Sequence, residues 1–491
     1  MPGGQIGVNT VSLITAAISG AVVMALEVVA FRLYAPYFGY SIYVWGSMIS
    51  VVMLALALGY GFGGRLADRS TTSAPLYTVI LGSALYQLVI VFTARPLLAA
   101  LSGWGDFTGT VIATLVIFAP PMTALAGVGP FVIRLLARAG DVGATAGVVY
   151  AVSTGGSMLG VLIASFFLLP QFGTQATLEV LCLATAAIAV AGLAARSRNA
   201  ATALVPFALL LAVPKFSWST DTIWTTESAY NLIRVAHQGK RLVLLLNSRD
   251  SVHTVRVESS NWTGFYYDDF ALGPLLVPAR NVMVLGMGGG GSIQATRLTA
   301  PEAAIDAVEI DGKVVDAAQR FFGLHADPHL RIHVADARPW LQRNRGPYDI
   351  VHVDLYHGGP YVPFYLTTVE FYRLVRSRMS GDGVVMINVF DVGRQQEVLS
   401  SVVATLKQVY PSVMVVPAGY FSNKMVLAFT RPQTLVSVRE RLAAVEGKNP
   451  WQALARKSAA EITEPAVRPG AVVLTDDRAP VEEMTRRMLA E

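Results

Sequence analysis

The chain has 491 residues, 53% of them hydrophobic and only 14% charged, against roughly 25% charged in an average soluble protein. Such a composition excludes a wholly water-soluble globule, and the single cysteine, Cys182, inside an apolar run, excludes a disulfide framework or a cysteine-based metal site. The net charge of +5 partly reflects arginines beside apolar segments, and no basic–aromatic run points to nucleic acid.

Apolar segments long enough to cross a bilayer, about 20 residues each, fall at 10–31, 42–63, 75–94, 108–133, 145–169 and 175–195. The first has neither the basic start nor the small-residue cleavage site of a signal peptide, so it reads as a retained anchor. A shorter stretch, 200–216, holds Pro206 and Pro214 and reads as re-entrant or surface-lying. Pro120-Pro121 should kink the fourth span, because proline removes a backbone donor. Gly59/Gly63, Gly143/Gly147 and Gly156/Gly160 have the spacing of close helix–helix contacts. Glu27 is a carboxylate well inside a span, either functional or paired with Arg32 near the membrane edge. Arginines at 65, 69, 134, 138, 196 and 198 fall in alternate loops, which the positive-inside rule puts in the cytoplasm. With six crossings the remainder of the chain is then cytoplasmic; with a seventh at 200–216 it would face outward.

Residues 218–491 suit one sizeable domain with a small appendage. From Trp224 to Asn247 the pattern alternates around a turn at Gln238–Lys240, a hairpin followed by an extended piece at Val252–Val257. A helix is expected near Asp268–Leu276. Then comes VMVLGMGGGGSIQATRLTAPEAAIDAVEID (282–311): a strand, a glycine turn, a helix, and a second strand closing on Glu309 and Asp311. Glycines let the backbone approach a ligand, the helix start presents free N–H groups, and an acidic residue about 20 residues on can hold ribose hydroxyls. Glu309 has that place. Strands at Leu330–Val334 and Asp349–Val353 end on Asp336 and Asp354. A helix (Thr367–Arg378), a strand (Gly383–Val389), a helix (Gln395–Val409) and a strand (Val413–Pro417) continue the alternation. A parallel doubly wound sheet follows, with its ligand beyond the carboxyl ends of the strands.

The motifs GMGGGG (286–291), VEID (308–311), VADA (334–337), YDIVHVD (348–354), LTTVEFYRLV (366–375) and LTDDRAPVE (474–482) together resemble the spermidine synthase family, and in particular its bacterial membrane-fused members. Segments 59–69 and 147–160 resemble the membrane half of that group. The resemblance implies a polytopic α-helical membrane domain (1–217), a small β appendage (218–278), an α/β class I methyltransferase-like, Rossmann-type domain (279–430) and a helical tail (431–491). It also implies a multi-pass protein of the bacterial cell membrane. The donor would be decarboxylated S-adenosylmethionine or S-adenosylmethionine, held by Asn231, Gly286, Gly288, Gly289, Gly290, Glu309, Asp336 and Ala337, with no metal. Glu309 would bind the ribose and Asp336 the adenine amino group. Asp354 would be the acid–base residue, a plain turn residue being the competing reading, and Tyr267 and Tyr420 would flank the acceptor; apart from the resemblance, His357 reads as a second acid–base group or a loop histidine, and Tyr356 as part of an aromatic-lined acceptor pocket. Asn231 stands where the family has glutamine. For Asp336 a plain helix cap, and for the tyrosines ordinary packing, are the competing readings. Asp476 and Asp477 in the tail could close over the site, dock the membrane half or cap a helix.

Two departures bear on the reaction. Family members carry an aspartate inside the glycine loop, where this chain has Gly289, and a second acidic residue three after the catalytic one, where it has His357. Two like charges about 4 Å apart at an effective dielectric of about 20 repel by roughly 4 kcal/mol. A loop without the aspartate therefore tolerates the carboxylate of intact S-adenosylmethionine, and a site without the second acid argues against putrescine. Aminopropyl transfer to an amine is the first expectation. Its rivals are methyl transfer to a non-polyamine or membrane acceptor, a transporter or sensor with a nucleotide-binding module, and an NAD-dependent oxidoreductase. The expected partners are a small-molecule amine or membrane-associated acceptor and the lipid bilayer, without nucleic acid; a homodimer stays open.

Overall fold

The computed structural model describes the chain apart from residues 1–2, 40, 138–140, 195–199, 213–220, 248–250, 259, 357 and 420–422. Two units emerge, residues 1–217 with 227–229, and residues 218–226 with 230–491.

The first unit comprises α1 (Gly3–Phe38), α2 (Ile42–Asp68), α3 (Ala74–Leu101), α4 (Asp106–Ile117), α5 (Ala119–Ala126), α6 (Val128–Leu136), α7 (Val142–Ile163) and α8 (Leu169–Ala194). Five stretches are long and apolar enough to cross a membrane: Thr10–Phe38, Ile42–Asp68, Ala74–Trp104, Ala119–Leu136 and Val142–Ala194. The last has 53 residues, more than twice the roughly 20 that one crossing needs. A π-helical turn at Ala164–Leu168 and Gly173, at a φ of 81°, break it, so it accommodates both 145–169 and 175–195. The expected span 108–133 is instead α4, α5 and α6, parted at Phe118 and Gly127. Pro120 and Pro121 lie in the first turn of α5, where no intrahelical N–H bond is lost. They restart a helix rather than kink one. Within 200–216, Ala200–Ala212 is a 3₁₀ helix containing Pro206; Pro214 lies outside the described residues. Glu27 sits in α1 with its Oε2 buried and without a hydrogen-bond partner among the described residues.

Small residues set the helix contacts. A Cβ on Gly156 or Gly160 would collide with the backbone carbonyls of Ala17 and Ala21, so α7 lies against α1 backbone to backbone. Gly59 and Gly63 meet Thr123 and Gly127 in the same way. A Cβ on Gly143 or Gly147 would meet nothing within 4 Å among the described residues, so that pair, alike in spacing, is no packing seam there.

The second unit opens with an antiparallel sheet of β1 (Thr222–Glu227), β2 (Leu232–Gln238), β3 (Arg241–Leu246) and β4 (Val252–Val257), in that order. The expected turn is there, with Gly239 at a φ of 62°. Where a helix is expected near Asp268–Leu276, a 3₁₀ turn (Tyr266–Leu272) runs into the short α9 (Gly273–Leu276). Then follow β5 (Asn281–Leu285), α10 (Gly291–Thr299), β6 (Ala304–Glu309), α11 (Gly312–Phe321), β7 (Leu330–Val334), α12 (Ala337–Arg343), β8 (Tyr348–Val353), α13 (Val369–Arg376), β9 (Met379–Phe390), α14 (Glu397–Lys407), β10 (Ser412–Pro417) and β11 (Asn423–Phe429). The tail adds α15 (Leu435–Ala443), α16 (Pro450–Glu461) and α17 (Val481–Ala490).

The sheet order is β10-β11-β9-β8-β5-β6-β7. Strands β5 to β9 are parallel, but β11 runs antiparallel to β9 and to β10. The sheet is therefore mixed, and β11 is a strand that the alternation pattern does not anticipate. Only five residues separate β10 from β11, too few for the crossover a parallel neighbour requires. Val284, Ile350 and Met386 bury one face of the sheet, and Val351, Ile387 and Phe371 the other. Strand order reverses between β5 and β8, so their carboxyl ends open a crevice.

Replacing Gly156 by leucine should lower the melting temperature of the detergent-solubilised protein, at a cost of about 1–3 kcal/mol or more from overpacking. Gly143→Leu, which meets open space, should leave it within about 0.5 kcal/mol. Equal melting of the two variants would refute the seam.

Candidate active site

The four side chains of β5 from Val282 to Leu285 are buried and the strand ends at Gly286, whose φ is 79°. A Cβ there would strike the backbone carbonyl of Asp354 at the end of β8. Only glycine allows this approach, which brings the glycine turn and Asp354 side by side. Gly290, at a φ of 89°, turns the chain into α10.

Glu309 ends β6 beneath this turn. Its Oε2 accepts from the N–H of Gly288 (3.2 Å) and its Oε1 from that of Asp311 (3.1 Å). Burial pushes its pKa up to about 7 against those two backbone donors. Asp311 caps α11 through the N–H of Lys313 (2.9 Å) and accepts from Asn231 Nδ2 (2.8 Å), while Asn231 Oδ1 accepts from Asn247 Nδ2 (2.8 Å). Asn231 thus lines the cleft while its amide joins the small sheet to the start of α11. Asp336 caps α12 through the N–H of Arg338 (3.0 Å), and its other oxygen accepts from the Tyr365 hydroxyl (3.1 Å). The cap and the cleft position coexist, with Ala337 beside it in the wall.

The catalytic candidate is held from two sides. Asp354 Oδ2 accepts from the Tyr266 hydroxyl (3.0 Å) and Oδ1 from Asn388 Nδ2 (2.9 Å). Burial raises its pKa to about 6, with both hydrogen bonds pulling the other way. Burial and the Asp354 charge keep the Tyr266 phenol protonated, well above its usual range. A carboxylate that ionises just below neutrality and retains two neutral donors is suited to accepting a proton. Tyr356 donates to the carbonyl of Asn388 (3.1 Å) and accepts from the N–H of Phe390 (2.8 Å). Tyr267, fully buried, donates to the carbonyl of Val252 (3.1 Å).

Asn231, Tyr267, Gly286, Gly288, Glu309, Asp336, Ala337, Asp354 and Tyr356 line one cleft. Gly289 and Gly290 belong to the same turn; the N–H of Gly289 donates to Thr254 Oγ1 (2.8 Å). His357 and Tyr420 lie outside the described residues. Sequence reasoning missed Tyr266, Asn388 and Thr254. For Asn388 a signal existed: a lone polar residue within the apolar run of β9. Asp476, left open among three roles, accepts from Arg338 Nη1 (2.8 Å) and the Thr368 hydroxyl (2.7 Å). Arg338 also donates to the carbonyl of Tyr365 (2.9 Å), so the tail braces the wall behind Asp336. Among the described residues no group of His, Cys, Asp or Glu could hold a metal ion.

Residues 266–438 match the family model described as the spermine/spermidine synthase domain. Over 194 residues the chain is 31% identical to a probable polyamine aminopropyl transferase of Bifidobacterium longum, covering 38% of this chain and 43% of that relative. Over 176 residues it is 26% identical to the eEF1A lysine and N-terminal methyltransferase of Homo sapiens, covering 34% of this chain and 25% of that one. A solved structure of a probable spermidine synthase from Corynebacterium glutamicum aligns with a TM-score of 0.40 and 18% identity, over 52% of this chain and 96% of that one. The match thus spans less than half the length of these curated relatives. The residues that match the spermine/spermidine synthase domain, 266–438, include the glycine turn, Glu309, Asp336 and Asp354, and so run across this cleft.

Proposed function

We propose that this protein is a membrane-tethered transferase that uses an S-adenosylmethionine-type sulfonium donor, decarboxylated S-adenosylmethionine first, to place an aminopropyl group on an amine. The observation that carries the reading is Asp354, held by Tyr266 and Asn388 directly beside the glycine turn. The relatives named as polyamine aminopropyltransferases support it.

Glu309 would take the ribose hydroxyls, and Asp336 with Ala337 the adenine edge. The acceptor amine attacks the carbon beside the sulfonium; a C–N bond forms, the C–S bond breaks, and the sulfur leaves as a neutral thioether. Asp354 receives the amine's proton, and by accepting a hydrogen bond from the amine it also holds the nucleophile in line. The apolar helices would anchor the chain as a multi-pass membrane protein, with the catalytic unit cytoplasmic by the arginines of alternate loops.

Methyl transfer from intact S-adenosylmethionine is the second reading, favoured by Gly289. A Cβ there would stand 2.8 Å from Thr254 Cγ2 and 3.1 Å from the Phe322 ring, so the loop has no room for an aspartate without rearrangement. The eEF1A methyltransferase relatives fit this reading.

Asp354→Asn should lower kcat about 10²- to 10⁴-fold with donor affinity retained; undiminished turnover would show that Asp354 is not the base. In the wild type kcat/KM should rise with pH through an apparent pKa of about 6, because the carboxylate form is the base. Affinity for methylthioadenosine should also grow from pH 6 to pH 8 as Glu309, with its pKa near 7, ionises to accept both ribose hydroxyls. Glu309→Gln should flatten that dependence, which calorimetry at the two pH values would reveal.

A further inference from the structure

A second cavity, of about 410 Å³, adjoins the donor cleft and shares His253, Tyr267 and Tyr356 with it. Phe265, Tyr266, Tyr356, Phe390 and Leu489 give it an aromatic and aliphatic wall. Its polar side is a ladder of amides: Asn423 Nδ2 donates to Asn388 Oδ1 (2.8 Å), and Asn388 Nδ2 donates to Asp354 Oδ1. Among the described residues lining it there is no carboxylate, lysine or arginine. Glu491, two residues beyond Leu489, accepts from the N–H of Arg394 (2.7 Å). One anion, Asp354, therefore serves the junction of the two cavities, and rings, amides, hydroxyls, aliphatic groups and the His253 imidazole serve the rest.

From this we infer that the acceptor is a monoamine with an uncharged apolar or aromatic body, not a diamine. The inference rests on the transferase reading with Asp354 as base, and adds the class of acceptor to it. The single amine meets Asp354, between the donor and the ladder, while the body lies along the rings. A second ammonium would be carried into a space that offers ring faces and amides. Ring faces attract a cation without neutralising it, and an unpaired buried charge is unfavourable. Leu489, half exposed on α17, adds carbon and no acid to the same lining.

The test uses the full-length protein in detergent or nanodiscs, with methylthioadenosine added to fill the donor cleft. Hexylamine, phenethylamine and hexamethylenediamine are titrated by calorimetry. Both monoamines should bind at least about tenfold more tightly than the diamine. A diamine that binds equally or better, or monoamines that fail to bind, would overturn the inference. Leu489→Glu should narrow the ratio about fivefold or more in favour of the diamine; an unchanged ratio would show that amines do not occupy this cavity. If methylthioadenosine itself fails to bind, the transferase reading falls and this inference with it; if it binds and the amines do not follow the order above, the acceptor class alone is overturned.

Discussion

The close approach of Gly286 to the carbonyl of Asp354 is the constraint on which the site depends. It couples β5 and β8, already joined at their ends by the N–H of Asp354 donating to the carbonyl of Leu285 (3.0 Å), while the N–H of Gly286 donates to the carbonyl of Val308 on β6 (2.9 Å). β5 therefore fixes both the turn that would cradle the donor and the carboxylate that would act on the acceptor. A side chain at 286 would push these apart, and a catalytic geometry displaced by an ångström loses much of its advantage. Glu309 enters through the same strand neighbourhood, receiving the N–H of Gly288 from the turn itself.

Burial then tunes the acids differently. Glu309 and Asp354 both lie deep enough for desolvation to raise their pKa, to about 7 and about 6. Glu309 is answered by backbone N–H groups, Asp354 by a phenol and an amide that cannot ionise at neutral pH. Asp476, by contrast, is held below the usual carboxylate range by Arg338 and works as a brace. Three carboxylates near one cleft thus differ through their partners, and two of them are poised to change charge near neutrality.

The parallel core was legible because β5, β6 and β8 are largely apolar and β7 alternates, each ending beside glycine or a carboxylate, a pattern local in sequence. The antiparallel β11 was not, since its direction is set by the short connection from β10 and not by its own composition. Near the site, Asp354 could be named from its place at a strand end, but its partners could not. Tyr266 and Tyr267 are neighbours in sequence, and the 3₁₀ turn that carries them decides which hydroxyl reaches Asp354 and which turns to Val252. Thr254 and Asn388 come from distant strands, and no short motif carries them. In the membrane unit, glycine spacing alone could not separate Gly156/Gly160, pressed against α1, from Gly143/Gly147, which face open space.

Direct binding of candidate donors tests the central claim most simply. S-adenosylmethionine, decarboxylated S-adenosylmethionine and NAD would be titrated calorimetrically into the purified full-length protein. The account predicts saturable binding of a sulfonium donor, tightest for the decarboxylated form, and no comparable binding of NAD. Preference for intact S-adenosylmethionine would shift the reaction to methyl transfer within the same site. Binding of neither sulfonium donor would contradict the account.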